Sequence, residues 1–276
     1  VRTVSESTMP VTIRRGFGAY IGLGQEPVWG TPVARTNWLR IVDTSLKRTL
    51  DKVNRPHLGT NGAASTNRQS HFTRTDESGG GLTTELAYDD STLMLMKHAM
   101  GANVTSGVGP YAHTMTLAVP RSLGSVESLA LENGLGTADA EVFEGCLING
   151  FELNIRAGEI ATVAWDIIGE PSGGLVAQGS PSFSANGEVA RFDHAGLFNF
   201  NGNTWCLSDI SIRWTKNLAR RMLLGSEFTK EPTAGDFGEV SVVAGQLVGE
   251  PLGRAPPRRE EEGDALLHSF AHRGDP

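Results

Sequence analysis

Cysteine is scarce in this chain: its 276 residues include only Cys146 and Cys206. Two cysteines cannot form the dense disulfide framework of small secreted domains. Both lie at the start of strand-like segments, so they could be neighbours in space; two buried free thiols are favoured over a pair, because free cysteine is among the residue types most often buried. Long hydrophobic runs are absent as well, and none approaches the roughly 20 residues that span a bilayer, so we expect no contact with a membrane.

The sequence also lacks a close set of catalytic or metal-binding side chains. Its histidines stand apart from one another and from Cys, Asp and Glu, unlike the ligand spacings typical of zinc or copper. The Glu260, Glu261 and Glu262 run is a solvated run of charge rather than a pair positioned across a cleft, and the serines have no nucleophile-elbow context. We therefore expect no enzymatic activity, cofactor or metal. The histidines are at positions 57, 71, 98, 113, 194, 268 and 272.

Basic residues are outnumbered by acidic ones, which gives a net charge of −7. Aromatic residues are also few, at 7% of the chain. This composition is the opposite of a surface that neutralises phosphates, so nucleic-acid binding in the usual sense is not expected. The charge is uneven: residues 1–80 carry 11 Lys/Arg against 6 Asp/Glu, whereas residues 81–250 carry 9 against 20. Oppositely charged surfaces favour head-to-tail self-association, although chance partitioning of solvated charge explains the same counts.

What the chain has instead is alternation, which is clearest in residues 151–167. A three-residue loop of Arg156, Ala157 and Gly158 pairs odd positions with odd positions, places Gly158 at the left-handed position, and gives a hairpin with one apolar face. The predicted core row is Phe151, Leu153, Val163, Trp165 and Ile167, and the predicted polar row is Glu152, Asn154, Thr162 and Asp166.

The remaining pattern predicts a mainly β protein, an antiparallel β-sandwich or barrel with one flanking α-helix and a long inter-strand loop. The helix is expected over residues 91–100, capped at Asp89, Asp90 and Ser91 and stopped at Gly101, with a thin polar stripe containing Ser91 and His98. Residues 47–81 are polar and rich in glycine and predict a long structureless loop. The boundaries are an N-terminal arm at 1–15, a β domain at 16–243, and a peripheral or disordered tail at 244–276.

Motifs in a fixed order give the chain a family resemblance. They are GLGQE at 22–26, WGTPV at 29–33, GLTTELAYD at 81–89, GCLINGFEL at 145–153, WDIIG at 165–169, KNLARR at 216–221, LGS at 224–226 and Pro232. Over residues 16–243 this order resembles the tail tube (major tail) proteins of long-tailed, non-contractile bacteriophages. The chain departs from that pattern after Val243, where a Pro- and charge-rich tail replaces the expected closing strand.

The resemblance implies a β-sandwich or barrel similar in fold to the tube proteins of type VI secretion. It also implies hexameric rings that stack around a tape-measure protein, meet tail terminator and distal tail or baseplate proteins at the ends, and later conduct double-stranded DNA without binding it specifically. Such a protein belongs in the virion and is assembled in the host cytoplasm.

Two surfaces then become candidates for function. The polar row Glu152, Asn154, Thr162 and Asp166 would line the lumen, since acidic groups repel phosphates, but an ordinary solvated sheet face fits the same pattern. The long loop would bridge rings through its basic residues, which are Lys47, Arg48, Lys52, Arg55, Arg68 and Arg74. The alternative from another class is a monomeric β-sandwich module that binds a carbohydrate or receptor.

Overall fold

The fold is given by a computed structural model. It describes residues 18–54, 71–107, 112–117, 128–135, 139–170, 173–183, 188–194, 198–200, 203–205, 207–224, 226, 228, 230–235 and 238–244. The predicted arm at 1–15 lies outside these residues, as does all of the predicted tail except Ala244.

Antiparallel strands dominate the described residues, as predicted, and the described residues include one α-helix. The elements are β1 (Ala19–Gln25), β2 (Asn37–Arg40), β3 (Asp43–Thr44), β4 (Lys47–Asn54), β5 (His71–Glu85), α1 (Asp90–Met100), β6 (Gly101–Ser106), β7 (Ala112–Leu117), β8 (Leu129–Leu135), β9 (Asp139–Arg156), β10 (Thr162–Gly169), β11 (Gly174–Ala177), β12 (Phe198–Phe200), β13 (Asn203–Trp205), β14 (Asp209–Thr215), β15 (Leu218–Arg221), β16 (Lys230–Ala234) and β17 (Glu239–Ala244).

Two sheets share the long strand β9. Its first half pairs with β8 and β11, and β8 continues to β1 and β2, which makes the first sheet. Its second half pairs with β10 on one side and β14 on the other, and the second sheet runs β17-β14-β9-β10-β5, with β3 and β4 on the far side of β5. A bulge at Gly145, with φ of 58°, lies where β9 passes from one sheet to the other.

The core lies where the two sheets and α1 face one another. Each sheet contributes one row of its alternating apolar residues, and the helix adds Leu95 and Ala99. The buried members from the sheets include Ile21, Leu23, Leu131 and Phe143 on the first and Leu82, Val163, Trp165, Ile167 and Trp214 on the second.

The helix begins and ends at its cap residues. The Asp89 side chain accepts a hydrogen bond from the Thr92 N–H at 2.8 Å, and the Gly101 N–H bonds to the Lys97 carbonyl. The thin polar stripe of Ser91 and His98 is buried. The Ser91 hydroxyl donates to the Trp38 carbonyl at 3.2 Å, which satisfies the polar group inside the fold.

The prediction of a structureless loop over residues 47–81 is wrong for its described part. Residues 47–54 and 71–79 form the paired strands β4 and β5, and residues 80–81 continue β5. The glycines that suggested a loop serve close backbone packing: a Cβ on Gly80 would lie 2.5 Å from the Ser45 carbonyl oxygen. Arg55 and Arg68 lie outside the described residues.

The register of the central hairpin also differs from the predicted one. Val163 faces Leu153 and Trp165 faces Phe151, two residues away from the pairing that a loop of residues 156–158 requires. From Thr162 to Asp166 odd positions still pair with odd ones, so both rows keep their faces, and the register shifts by one residue at Ile167, which is buried with the core row. Gly158 has the expected positive φ, 86°. The described helix is too short and too polar to cross a lipid bilayer.

Candidate functional site

The predicted polar row lies on one face of the second sheet. Asn154 of β9 stands opposite both Thr162 of β10 and Ser211 of β14, and Glu152 stands opposite Arg213. Directly opposed residues of antiparallel strands share a face. The Glu152 carboxylate accepts a hydrogen bond from the Ser211 hydroxyl at 3.0 Å, so this acid is held in place on the sheet surface.

Asp166 belongs to the same face at the other end of β10. It stands opposite Gly150, is exposed, and accepts a hydrogen bond from the Asn149 side-chain amide at 2.7 Å. The pairings to β5, β14 and β17 extend this surface, and we call its part between the β9–β10 turn and the level of Asp166 the polar face. Six charged residues of the polar face are acidic and two are basic: Asp43, Glu85, Glu152, Asp166, Asp209 and Glu239 against Arg156 and Arg213.

The predicted core row lies on the opposite face of these strands. Val163, Trp165 and Ile167 are buried, whereas Phe151 and Leu153 are partly buried and pack against the core. The Phe151 ring lies between two indoles, with centroids 5.7 Å from Trp165 and 5.8 Å from Trp214. The Trp165 N–H donates to the Thr84 hydroxyl at 3.0 Å, which explains how this indole is buried without an unmet polar group.

The apolar face of the second sheet extends past the part that the core covers. Val240 stands opposite Trp214 and Val242 opposite Ile212, but these two valines of the edge strand β17 are 58% and 55% exposed. The sheet therefore ends at β17 in an apolar edge, a kind of surface that marks sites of association.

The predicted bridging residues lie on a paired hairpin rather than on a loop. Arg48 of β4 forms an ion pair with Asp76 of β5, and Arg74 forms one with Asp51 at 2.5 Å. Only residues 78–85 of β5 pair with β10, so residues 71–77 of β5 and residues 49–54 of β4 extend past the end of β10. Lys52 is exposed on this extension, and Lys47 is exposed beside the last residues of β10.

A buried carboxylate that the sequence reasoning missed fixes the loop after β1. Glu26 is 1% exposed and accepts the Gly145 N–H at 2.8 Å and the Gly30 N–H at 2.9 Å. The Trp29 indole donates to the Gly145 carbonyl at 3.0 Å, so the loop is bonded to the bulge of β9. The signal was present in the GLGQE and WGTPV motifs, which contain these residues.

Two further acids lie near Glu26. Burial raises the pKa of Glu144, the Glu26 charge raises it further, and Arg35 opposes the shift. Burial likewise raises the pKa of Glu170; Lys230 opposes that shift, and Glu144 and Glu26 add to it. This group of like charges is a place where protonation changes stability, because repulsion is relieved when a proton binds.

The remaining reactive side chains show no catalytic grouping in the described part of the chain. Cys146 is a buried free thiol, and burial raises its pKa, so it is an inert thiol. His98 is buried and His113 contacts Thr105 on the exposed β6–β7 hairpin, at 3.0 Å. Among the described residues no three His, Cys, Asp or Glu side chains are placed to hold a metal ion. Cys206 and His57 lie outside those residues.

Comparison with known proteins identifies the family. No curated protein sequence matches the chain. A solved structure described as "Structure of a type six secretion system protein" is similar to this chain, with 12% sequence identity and a TM-score of 0.29; the match covers 57% of this chain and 91% of the chain in that structure. Residues 16–243, most of the chain, match the family described as phage tail tube protein. The chain therefore belongs to the phage tail tube proteins, structural components of the virion that self-assemble into the tube of the tail.

Proposed function

We propose that six copies of this chain close into a ring, and that rings stack into the tail tube of a long-tailed, non-contractile phage. In this proposal the polar face lines the lumen, and double-stranded DNA passes through it during ejection. The observation that carries the proposal is the charge of that face, with six Asp or Glu against two Arg on one side of a sheet whose other side is the core.

An acidic lining suits a conduit better than a binding surface. DNA carries a negative charge for about every 1.7 Å of helix axis, so a lining that supplied Lys and Arg would hold it through counterion release. The charges of Glu152 and Asp166 repel phosphates instead, and DNA can slide. A carbohydrate-binding module needs exposed aromatic platforms, whereas Trp165 and Trp214 are buried.

The edges of the second sheet suit ring closure. One edge is β17, with Val240 and Val242 exposed, and the other edge is formed by β3 and β4. Open strand edges pair readily with other chains. Exposed Lys47 lies on one edge and exposed Glu239 on the other, so the contact between neighbouring copies would also be complementary in charge.

The proposed partners follow from this assembly. A tape-measure protein would occupy the lumen before ejection, and tail terminator and distal tail or baseplate proteins would meet the two ends of the tube. Assembly would take place in the host cytoplasm. The β4–β5 hairpin, with Lys47, Arg48, Lys52 and Arg74, is the proposed element that reaches the next ring.

Electron microscopy of the purified protein tests the assembly, and a charge reversal tests the facing. We expect rings or tubes of even diameter for the wild type. We expect Glu152→Lys/Asp166→Lys to assemble, because neither side chain is packed between elements, but to retain DNA at low salt and release it as salt rises.

The matched control compares Asp166→Lys with Asp139→Lys, since both acids are exposed and Asp139 starts the half of β9 that belongs to the first sheet. Only Asp166→Lys tubes should retain DNA. Equal retention by the two variants, or none by the double variant, would mean that the polar face does not line the channel.

A further inference from the structure

The second sheet has two chemically different ends. At one end lies the β9–β10 turn, residues 156–160, together with residues 188–193 and Asp209; we call it the acidic end. Its charged residues are Glu159, Glu188, Asp193 and Asp209 against Arg156 and Arg191. The segments are joined by the Phe192 N–H, which donates to the Glu159 carbonyl at 3.2 Å, and by the Ala161 N–H, which donates to the Ala190 carbonyl at 2.9 Å.

At the other end, beside the last two residues of β10 and beyond them, lie β4, residues 73–77 of β5, and the hairpin of β15 and β16; we call it the basic end. It carries seven Lys or Arg against four Asp or Glu: Lys47, Arg48, Lys52, Arg74, Arg220, Arg221 and Lys230 against Asp51, Asp76, Glu77 and Glu231. The Arg220 guanidinium joins the hairpin to β5, because it pairs with Glu77 at 2.5 Å and donates to the Ser78 carbonyl at 3.0 Å.

Each end also exposes large apolar side chains. At the basic end the turn after β15 presents Met222, Leu223 and Leu224, which are 52%, 52% and 106% exposed and which we call the apolar knob. The turn is ordered locally, since the Ser226 N–H donates to the Leu223 carbonyl at 3.3 Å. At the acidic end Ile160 and Phe192, each 44% exposed, form what we call the apolar platform.

Among the described residues, none covers the two leucines of the knob, which are 52% and 106% exposed. Complete burial of one leucine side chain is favourable by an amount that corresponds to about tenfold or more in an association constant. Consecutive exposed apolar residues at a turn are characteristic of an interaction site rather than of an ordinary solvated loop.

We propose that the apolar knob of one copy packs on the apolar platform of a second copy in the next ring, with the basic end of one against the acidic end of the other. The inference rests on the proposed function and names the stacking contact within it. The strands of a barrel are tilted to its axis, so the two ends of the sheet are displaced along the tube. A contact between two different surfaces forms a closed ring when successive copies are related by a rotation that closes, and an open filament when each copy is displaced along the axis; the displaced ends of the sheet give the second case, so the contact repeats from ring to ring.

Charge identifies the occupant as a second copy. The knob is flanked by Arg220, Arg221 and Lys230, whereas the platform is flanked by Glu159, Glu188 and Asp193. Opposite signs around two apolar surfaces steer the two ends together and disfavour contact between like ends.

Paired charge substitutions test the contact, because Leu224 and Phe192 are exposed and their replacement leaves the core intact. Leu224→Asp places an acid against the acidic end and should raise the protein concentration needed for tubes at least about tenfold. Phe192→Lys should do the same by placing a cation against the basic end. The double variant Leu224→Asp/Phe192→Lys should recover tubes, since the new acid of one copy then faces the new cation of the next copy.

The matched control is Leu175→Asp, which replaces a leucine that is 58% exposed on β11 of the first sheet and should leave stacking unchanged. Electron microscopy distinguishes a wrong stacking contact from a wrong proposed function. Single variants that still form rings but few tubes, with recovery in the double variant, support the contact. Tubes of wild-type length from Leu224→Asp overturn the contact but not the proposed function, whereas a wild type that forms neither rings nor tubes overturns both.

Cysteine crosslinking gives a second measurement on assembled protein. Oxidation of tubes of the variant Leu224→Cys/Ile160→Cys should give a ladder of covalent multimers, and each single variant measures the background from Cys206. A ladder no longer than that of the single variants would show that the two surfaces do not meet.

Discussion

Replacement of Trp165 tests the interior arrangement of the second sheet most directly. The indole is 1% exposed, packs against Phe151 at a centroid distance of 5.7 Å, and donates to the buried Thr84 hydroxyl at 3.0 Å. An aromatic side chain of this kind buries roughly 150–250 Å², which at about 25 cal/mol per Å² gives about 4–6 kcal/mol. That figure is an upper bound because the unfolded chain already covers part of its apolar surface.

Measured large-to-small substitutions give a second estimate, about 3–5 kcal/mol for Trp→Ala, to which loss of the hydrogen bond to Thr84 adds about 1 kcal/mol. We therefore expect Trp165→Ala to lower the free energy of unfolding by about 4–6 kcal/mol. A stable domain has about 5–15 kcal/mol in total, so the variant should be close to unfolding. At about 2–4 °C for each kcal/mol, the melting temperature should fall by roughly 10–20 °C.

The assay is thermal and urea unfolding followed by far-UV circular dichroism, at a concentration too low for assembly. Trp165→Phe retains an aromatic ring but loses the N–H donor, and it should cost only about 1–2 kcal/mol. Leu224→Ala, at a fully exposed position, should change stability by less than about 0.5 kcal/mol. If Trp165→Ala had the same melting temperature as the exposed control Leu224→Ala, the assignment of Trp165 to the core face would be refuted.

Two further substitutions probe the first sheet and the acidic group beside it. A Cβ at Gly134 would lie 2.3 Å from the Tyr20 ring, so Gly134→Ala should lower stability by roughly 1–3 kcal/mol in thermal unfolding, whereas Gly173→Ala, where the nearest atom is 3.9 Å away, should not. The pKa values of Glu144 and Glu170 are raised above 4.5 in the folded protein, so the folded state binds these protons more tightly than the unfolded state. Their contribution to stability is therefore greatest below 4.5 and falls as pH rises through the folded pKa values. Glu144→Gln and Glu170→Gln should raise the melting temperature at pH 7 and flatten this dependence, and variants less stable than the wild type at pH 7 would contradict the electrostatic account.

The second sheet could be predicted from sequence where its two faces differ in chemistry. Val163 and Trp165 alternate with Thr162 and Asp166, so the facing follows from a period of two whatever the exact register. Register itself depends on where the bulges fall, and the bulge between Asp166 and Ile167 leaves no mark in the pattern. The helix was predictable because Asp89 and Gly101 are cap residues with a physical role at each end.

The β4–β5 hairpin escaped prediction because its buried face is polar. Asp76 and Ser78 are 2% and 1% exposed, and each is satisfied by a specific partner, Arg48 for the carboxylate and the Glu170 carbonyl for the hydroxyl. A pattern of apolar residues cannot reveal a strand whose inward side chains are polar, since the partners are distant in sequence. Glu26 is the same case, an acid whose burial depends on backbone N–H groups at Gly30 and Gly145.

The difference between strand and loop at residues 47–81 changes how the basic end can act. A structureless loop would lose roughly 1–2 kcal/mol of conformational entropy for each residue ordered on contact with the next ring. In the structure Lys47 and Lys52 already lie on a strand paired with β5, and Arg220 joins β15 to that strand. Because residues 71–77 of β5 continue beyond the last residue of β10, strand length alone places Lys52, which pairs with Thr73, past the end of β10. The described part of the basic end is thus preorganised, and more of the free energy of stacking is available to bury the apolar knob.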